Sequence, residues 1–353
     1  MSKLNYRLIS YLTGLLLIFN SGAILLTTIV SYFYNDGFFL NIFKSFIICF
    51  ITGGLIMFFS QNPSKIINRR DGYLIVIIGW LAMVFSGTLP YIFTETISNT
   101  PDLIFETMSG YTTTGSSVII DVESLPESII FWRSMTHWLG GMGIIVLAIA
   151  ILPLLGIGGM QLFSAEAPGS GISGDKIHPR ISNTAKRLWL IYIALTLIET
   201  VLLKVAGMNF FDAINHSMSN IATGGFSTKN ESLSFWNSMP QVQYIIVFFM
   251  ILAGTNFLLI YLSLIGKFKK LISNTEFIWY FGSISFFVLL TTFILNNNVD
   301  LNSTDFDHPQ VFGQLEASFR HALFQVVAVI TTTGFVTGDF AGWTPFLTML
   351  FFV

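Results

Sequence analysis

The chain has 353 residues, 53% of them hydrophobic and only 10% charged, with a formal net charge of -2 and a mean hydropathy of +0.71. That balance excludes an ordinary water-soluble surface, and with so small a net charge nothing points to nucleic acid as a partner. Cys49 is the one cysteine and lies in an apolar run, which excludes an internal disulfide and argues against a cysteine-based metal site.

About 20 apolar residues cross a bilayer as a helix. On that ruler the sequence predicts spans at Leu8–Phe33, Phe38–Ser60, Tyr73–Phe93, Ile129–Leu155, Leu188–Ala206, Val242–Leu264 and Phe277–Leu295. A last apolar run, Trp343–Val353, is too short to span. The first run continues to about Tyr34, too long for a cleaved signal segment.

Two kinds of connection alternate between the spans. One is basic, with Lys3 and Arg7, then Lys65, Arg69 and Arg70, then Lys176, Arg180, Lys186 and Arg187, then Lys267, Lys269 and Lys270. The other is acidic, with Asp36, Glu95, Asp102, Glu106, Asp121, Glu123, Glu127, Asp212, Glu231, Asp300, Asp305, Asp307, Glu316 and Asp339. Basic loops are retained in the cytoplasm, so the N-terminus is predicted inside and the acidic loops outside.

The acidic side carries a repeat. Each unit is a spanning helix, a short amphipathic segment entering from outside, a Thr-Gly turn and a second span. Anchored on Gly115, Gly224 and Gly334, the stretches Phe105–Gly115, Ile214–Gly224 and Phe324–Gly334 align without gaps. The residue ten places before the glycine is apolar, the next is polar (Glu106, Asn215, Gln325), and threonine precedes the glycine (Thr114, Thr223, Thr333). Each second span opens near a tryptophan, Trp132, Trp236 or Trp343, suited to the membrane interface. The first short segment begins "NTPDLIFETM", with Thr100 as the expected N-cap, Pro101 at the first helical position and Asp102 in the first turn. Segments this short must re-enter, and bare carbonyls at membrane depth are tolerated only within protein or against water. A ring of carbonyls replaces the hydration shell of a monovalent cation. Glycine allows the dihedrals that aim them, and threonine adds a stiff side chain and a hydroxyl oxygen.

With "MSGYTTTGSSV", "HWLGGMGIIVLAIAILPLLGIGGMQLF", "HSMSNIATGGFST", "FFMILAGTNFLLIYL" and "FQVVAVITTTGF", the chain resembles the membrane subunit of the bacterial Trk-type potassium uptake systems, relatives of the Ktr and plant HKT proteins. The resemblance covers essentially the whole chain. It implies an all-α polytopic membrane protein of repeated helix–pore loop–helix units around a central pore, with two extra N-terminal transmembrane helices. It implies potassium uptake across the bacterial cytoplasmic membrane, with potassium as the transported ligand and no cofactor in this chain. The implied filter glycines are Gly115, Gly224 and Gly334, with carbonyls from Thr113, Thr114, Ala222, Thr223, Thr332 and Thr333. In the family, glycine at the first filter position goes with potassium and serine with sodium; here it is Gly115. The resemblance also implies a homodimer bound on its cytoplasmic face to a ring of nucleotide-binding regulatory subunits, with the basic loops as the candidate docking surface. Symport with protons or sodium, and a sodium-conducting relative, stay open as alternatives.

Family members carry four pore repeats, and this sequence shows three before "WTPFLTMLFFV" stops in mid-span. The expectation is therefore a truncated chain, with a non-conducting structural subunit as the alternative. The expected division is 1–72 for the two extra helices, 73–160 for the first repeat, 161–187 for a cytoplasmic connector, 188–266 for the second repeat and 267–353 for the third.

Other residues carry weaker expectations. Arg320 and His321 precede the third loop, and Arg320 either forms an ordinary salt bridge or braces the filter. Glu199 and Lys204 are too far apart for an i, i+4 pair, so each is expected to find another partner or snorkel. Arg133 and His137 are expected in structural hydrogen bonds, and Asn256 in an interhelical one. "GGMG" at Gly140 and "GIGG" at Gly156 read as close helix packing, and "APGSGISGDKIHPR" as a connector. An intramembrane enzyme would need Ser/Lys, paired Asp or His-Glu-x-x-His within the spans, and the five histidines are scattered.

Overall fold

The structure, a computed structural model, describes residues 4–63, 69–143, 178–298 and 314–352. The described residues are all-helical, as the sequence predicts, with no strand among them. Two long helices come first, α1 (Tyr6–Tyr34) and α2 (Phe39–Phe59), followed by α3 (Arg69–Gly87) and the short α4 (Leu89–Thr94). Next are α5 (Thr100–Tyr111) and α6 (Glu127–Gly141), then α7 (His178–Val205) and α8 (Phe210–Ile221). The rest comprises α9 (Pro240–Ala253), α10 (Phe257–Leu264), α11 (Lys269–Ile272), α12 (Thr275–Asn298), α13 (Leu315–Ile330) and α14 (Pro345–Phe352).

Among the described residues, five helices are long and apolar enough to cross a membrane: α1, α2, α3 with α4, Lys186–Val205 within α7, and α12. This is a multi-pass membrane protein. The second half of the Ile129–Leu155 span, together with "GIGG" and most of the connector, lies outside the described residues.

The expected single span Val242–Leu264 needs correction, because α9 and α10 meet at a bend of 100°. Gly254 ends α9, and the Asn256 side chain begins α10 by accepting the Leu258 N–H at 3.0 Å. Asn256 is thus a helix cap, not an interhelical bridge. A Cβ on Gly254 would stand 2.6 Å from Tyr280 Oη and 2.8 Å from Thr331 Cγ2, so a side chain at the bend would have to displace them. The first re-entrant helix is also capped one residue early: α5 starts at Thr100 after Asn99, whose Nδ2 donates to Asp102 at 2.9 Å.

The chain divides into two compact units. The first holds α1 to α6, without Thr113–Gly115 and Ile120–Glu123, and the start of α7. Within it α1 and α2 cross at glycines: a Cβ on Gly14 would lie 2.8 Å from Gly53 O, and one on Gly53 would lie 2.9 Å from Gly14 O. Such close backbone approach is how helices gain packing in lipid, where burial of apolar surface drives little. A buried polar chain ties α5 to α1 and α3: Tyr111 Oη donates to Asn20 Oδ1 at 2.7 Å, and Asn20 Nδ2 donates to Ser86 Oγ at 2.8 Å. Gly140 lies so near the Tyr111 carbonyl that a Cβ would come within 2.1 Å, which gives "GGMG" its packing role.

The second unit holds Ile191–Val353 together with Thr113–Gly115 and Ile120–Glu123. Its core joins Leu203 of α7, Ala213 of α8, Ile246 and Met250 of α9, Val288 of α12, and Phe324 and Val327 of α13, with Trp236 and Phe335 from the segments that follow the second and third Thr-Gly loops.

Candidate functional site

The re-entrant helices α5 and α8 have 12 residues each and α13 has 16. Twelve residues rise about 18 Å, short of the roughly 30 Å hydrocarbon core. Each helix ends on a capping residue whose N–H is still bonded inward: Thr112 to Met108 O at 2.8 Å, Ala222 to Met218 O at 3.3 Å and Thr331 to Val327 O at 2.9 Å.

Past each cap the backbone does the same unusual thing. Thr113, Thr223 and Thr332 are left-handed, with φ of 53°, 52° and 58°. Two residues on, Gly115, Gly225 and Gly334 are left-handed again, with φ of 79°, 82° and 78°. The residues between, Thr114, Gly224 and Thr333, are not among those with positive φ. Alternation of hand turns successive carbonyls to one side of the chain and successive N–H groups to the other. A β-branched residue at positive φ is a genuine outlier, costing about 1–3 kcal/mol. Its recurrence at one position of three loops marks a constraint of the site, not an accident of one turn.

This geometry corrects the alignment of the second loop. Gly225, not Gly224, matches Gly115 and Gly334; Gly224 takes the place of Thr114 and Thr333, and Ala222 is the helix cap. The polar position nine residues before that glycine is then Glu106, His216 and Gln325, not Asn215 in the second repeat.

The loops also approach one another in a repeated way. A Cβ on Gly115 would stand 2.1 Å from the Gly224 carbonyl oxygen, and one on Gly225 would stand 2.0 Å from the Thr333 carbonyl oxygen. In both cases a glycine faces the middle carbonyl of the next loop. The first loop thus faces the second and the second faces the third, in chain order. This arrangement presents backbone oxygens, the chemistry suited to a dehydrated monovalent cation. Among the described residues no group of three or more His, Cys, Asp or Glu side chains is placed to hold a metal ion.

Side chains hold the segment after each loop. Glu106 Oε2 accepts the Val118 N–H at 2.9 Å and the Ser117 hydroxyl at 3.0 Å. Arg133 Nε donates to Glu106 Oε1 at 2.9 Å while its Nη2 donates to Ser117 Oγ at 3.0 Å. In the second repeat His216 lies 2.8 Å from the Asp212 carbonyl through Nδ1 and 3.0 Å from Ser227 Oγ through Nε2. The carbonyl can only accept, so Nδ1 carries a proton, and in the neutral imidazole Nε2 accepts from Ser227. In the third, His321 Nδ1 lies 2.9 Å from Thr337 Oγ1.

A family model described as "TrkH: Cation transport protein" matches residues 39–353. The chain belongs to the TrkH family. It is 38% identical to the Trk system potassium uptake protein TrkH of Escherichia coli K12, over 98% of this chain and 70% of that protein. It is 34% identical to the Trk system potassium uptake protein TrkG of the same strain, over 99% of this chain and 70% of that protein. The crystal structure of the potassium transporter TrkH from Vibrio parahaemolyticus superposes with a TM-score of 0.79 at 34% identity, covering 99% of this chain and 69% of that one.

Within this TrkH-family chain, several buried side chains find the kind of partner expected of them, and the structure names that partner. Arg320 donates through Nε to Glu316 at 3.0 Å and through Nη1 to Gln243, so it ties α13 to α9. The reach toward the third loop comes instead from His321. Arg133 stands four residues before His137 on its own helix, but its buried ion-pair partner is Glu106, on the preceding half-helix. Glu199 finds a partner other than Lys204, as expected, in Asn220. No sequence signal names these partners, apart from the rarity of charge in an apolar span.

Proposed function

We propose that this chain takes up potassium across a bacterial cytoplasmic membrane, through a filter of backbone carbonyls at its Thr-Gly loops. The filter residues are Thr113, Thr114 and Gly115 from the first loop, Thr223, Gly224 and Gly225 from the second, and Thr332, Thr333 and Gly334 from the third. The observation that carries this reading is the threefold repetition of the left-handed threonine and glycine, with Gly115 and Gly225 each packed on the next loop's carbonyl. The C-terminal ends of α5, α8 and α13 lead into these loops, and their partial negative charge favours a cation there. Relatives named for potassium uptake support the choice of ion. The test is rubidium uptake by the full-length gene product in cells without their own potassium uptake systems. Uptake is expected, and its absence at normal abundance would contradict the reading.

The same reading divides the chain into two N-terminal helices (1–72), a first repeat (73–160), a connector (161–187), a second repeat (188–266) and a third (267–353). It assigns a homodimer with a cytoplasmic ring of nucleotide-binding regulatory subunits docked on the basic loops, among them Lys267, Lys269 and Lys270.

Orientation follows from charge, with basic loops inside. Two acidic loops support it by sharing one end of the second unit: Asn230 Nδ2 donates to Asp121 at 2.8 Å, and Lys229 Nζ lies 3.4 Å from Glu123. Cys49 is buried and gives little background for labelling. Single cysteines at Asp121 and Glu231 are expected to react with an impermeant reagent in intact cells, and one at Lys269 only after lysis. The reverse pattern would invert the topology.

A further inference from the structure

Two buried glutamates lie on or against the re-entrant helices, Glu106 on α5 and Glu199 against α8, and their surroundings differ. Glu106, 0% exposed, is met by a guanidinium, a hydroxyl and a backbone N–H, the donor set of an ionised carboxylate. Glu199 on α7 is also 0% exposed. Its one donor is Asn220 Nδ2, 2.6 Å from Oε1, and that same amide nitrogen donates to the Ile246 carbonyl at 3.0 Å. Among the described residues, Glu199 Oε2 and Asn220 Oδ1 are both buried without a partner. No Lys, Arg or His forms an ion pair with Glu199 among the described residues. His216, one turn back on α8, has both ring nitrogens engaged with Asp212 O and Ser227, and Lys204 is exposed.

An ionised carboxylate in that setting would carry unpaired charge into a dry interior and leave two acceptors facing no donor. One proton on Oε2 removes both faults. It cancels the charge and supplies the donor that Asn220 Oδ1 lacks.

We infer that Glu199 is a neutral carboxylic acid in the folded protein, joined to Asn220 as an acid–amide pair, and that the pair positions the second loop. The link to the loop is direct: the Asn220 carbonyl accepts the N–H of Thr223, the left-handed threonine, at 2.8 Å. Asn220 is thereby held from three sides, by α7 through Glu199, by α9 through Ile246 and by the loop itself. Glu199 is a positioning residue that acts through Asn220. The protonation stands independently of the transported ion, whereas the effect on the loop rests on the potassium reading.

Two measurements test this on the purified protein in lipid and in uptake assays. Infrared spectra at neutral pH should show a protonated-carboxyl C=O band in the wild type that Glu199→Gln removes. Glutamine offers an N–H where the acid offers its O–H, so Glu199→Gln should keep potassium-over-sodium discrimination near the wild-type level. Glu199→Ala, which leaves Asn220 without its clasp, should lower discrimination by about tenfold. Spectra of wild type and Glu199→Gln with no difference in the protonated-carboxyl region would overturn the protonation. A Glu199→Gln protein that accumulates normally yet loses discrimination would overturn the positioning role. A wild type without potassium preference would sink the potassium reading and leave the infrared result standing.

Discussion

Gly225→Ala is expected to abolish most potassium uptake, while Gly224→Ala leaves a large part of it. The two glycines are neighbours in "TGGF" and look equivalent in the sequence. The backbone separates them. Gly225 has φ of 82°, and a Cβ there would fall 2.0 Å from the Thr333 carbonyl oxygen, so a methyl group meets backbone on the adjacent loop and not the movable end of a side chain. Left-handed strain and overpacking together cost about 2–4 kcal/mol, which on the scale of 1.4 kcal/mol per tenfold corresponds to a loss on the order of a hundredfold. Gly224 stands where the other loops carry Thr114 and Thr333, so a side chain is compatible with the backbone there. Uptake rates normalised to membrane abundance decide the matter. Equal damage from both substitutions, or greater damage at Gly224, would return the register to the one read from the sequence.

The second large effect is expected at the Glu106–Arg133 pair. Both side chains are buried, at 0% and 2% exposure, and joined at 2.9 Å. Removing one partner strands the other charge, a loss of about 3–5 kcal/mol for a buried pair. Arg133→Met and Glu106→Gln should therefore each lower the unfolding temperature in detergent and the abundance in membranes. The double substitution should be less damaging than the sum of the two, because it leaves neither charge alone. Strict additivity would mean that the pair does not act as a unit. Glu106 also holds Val118 N–H and Ser117, so surviving single variants should show altered transport as well as lower stability.

Much of this architecture is legible in the sequence, for physical reasons. Apolar length fixes the spans, and a segment as short as Thr100–Tyr111 between two of them can only re-enter. The register of the second loop is not legible, because a pair of glycines satisfies any rule that asks for one. Its resolution lies in the dihedrals of Thr223 and Gly225. The break at Gly254 is hidden for a similar reason: the apolar run continues through it, and the side chains packed against it come from Tyr280 and Thr331, distant in sequence. Glu106 with Arg133, and Glu199 with Asn220, are 27 and 21 residues apart, beyond the reach of helical spacing rules. Rarity of charge marks such residues as important, yet only packing names their partners.

If glycine-lined carbonyl loops select potassium, selectivity is most sensitive to substitution at Gly115. A Cβ at Gly115, where φ is 79°, would fall 2.1 Å from the Gly224 carbonyl, so any side chain displaces an oxygen from the position that the ion requires. The measurement is rubidium uptake against increasing sodium, for the full-length wild type and Gly115→Ser at matched abundance, in cells without their own potassium uptake systems. Strong preference for rubidium is expected in the wild type, with a loss of about tenfold or more in Gly115→Ser, equivalent to about 1.4 kcal/mol of differential binding. Unchanged preference in Gly115→Ser would contradict potassium selection by these loops.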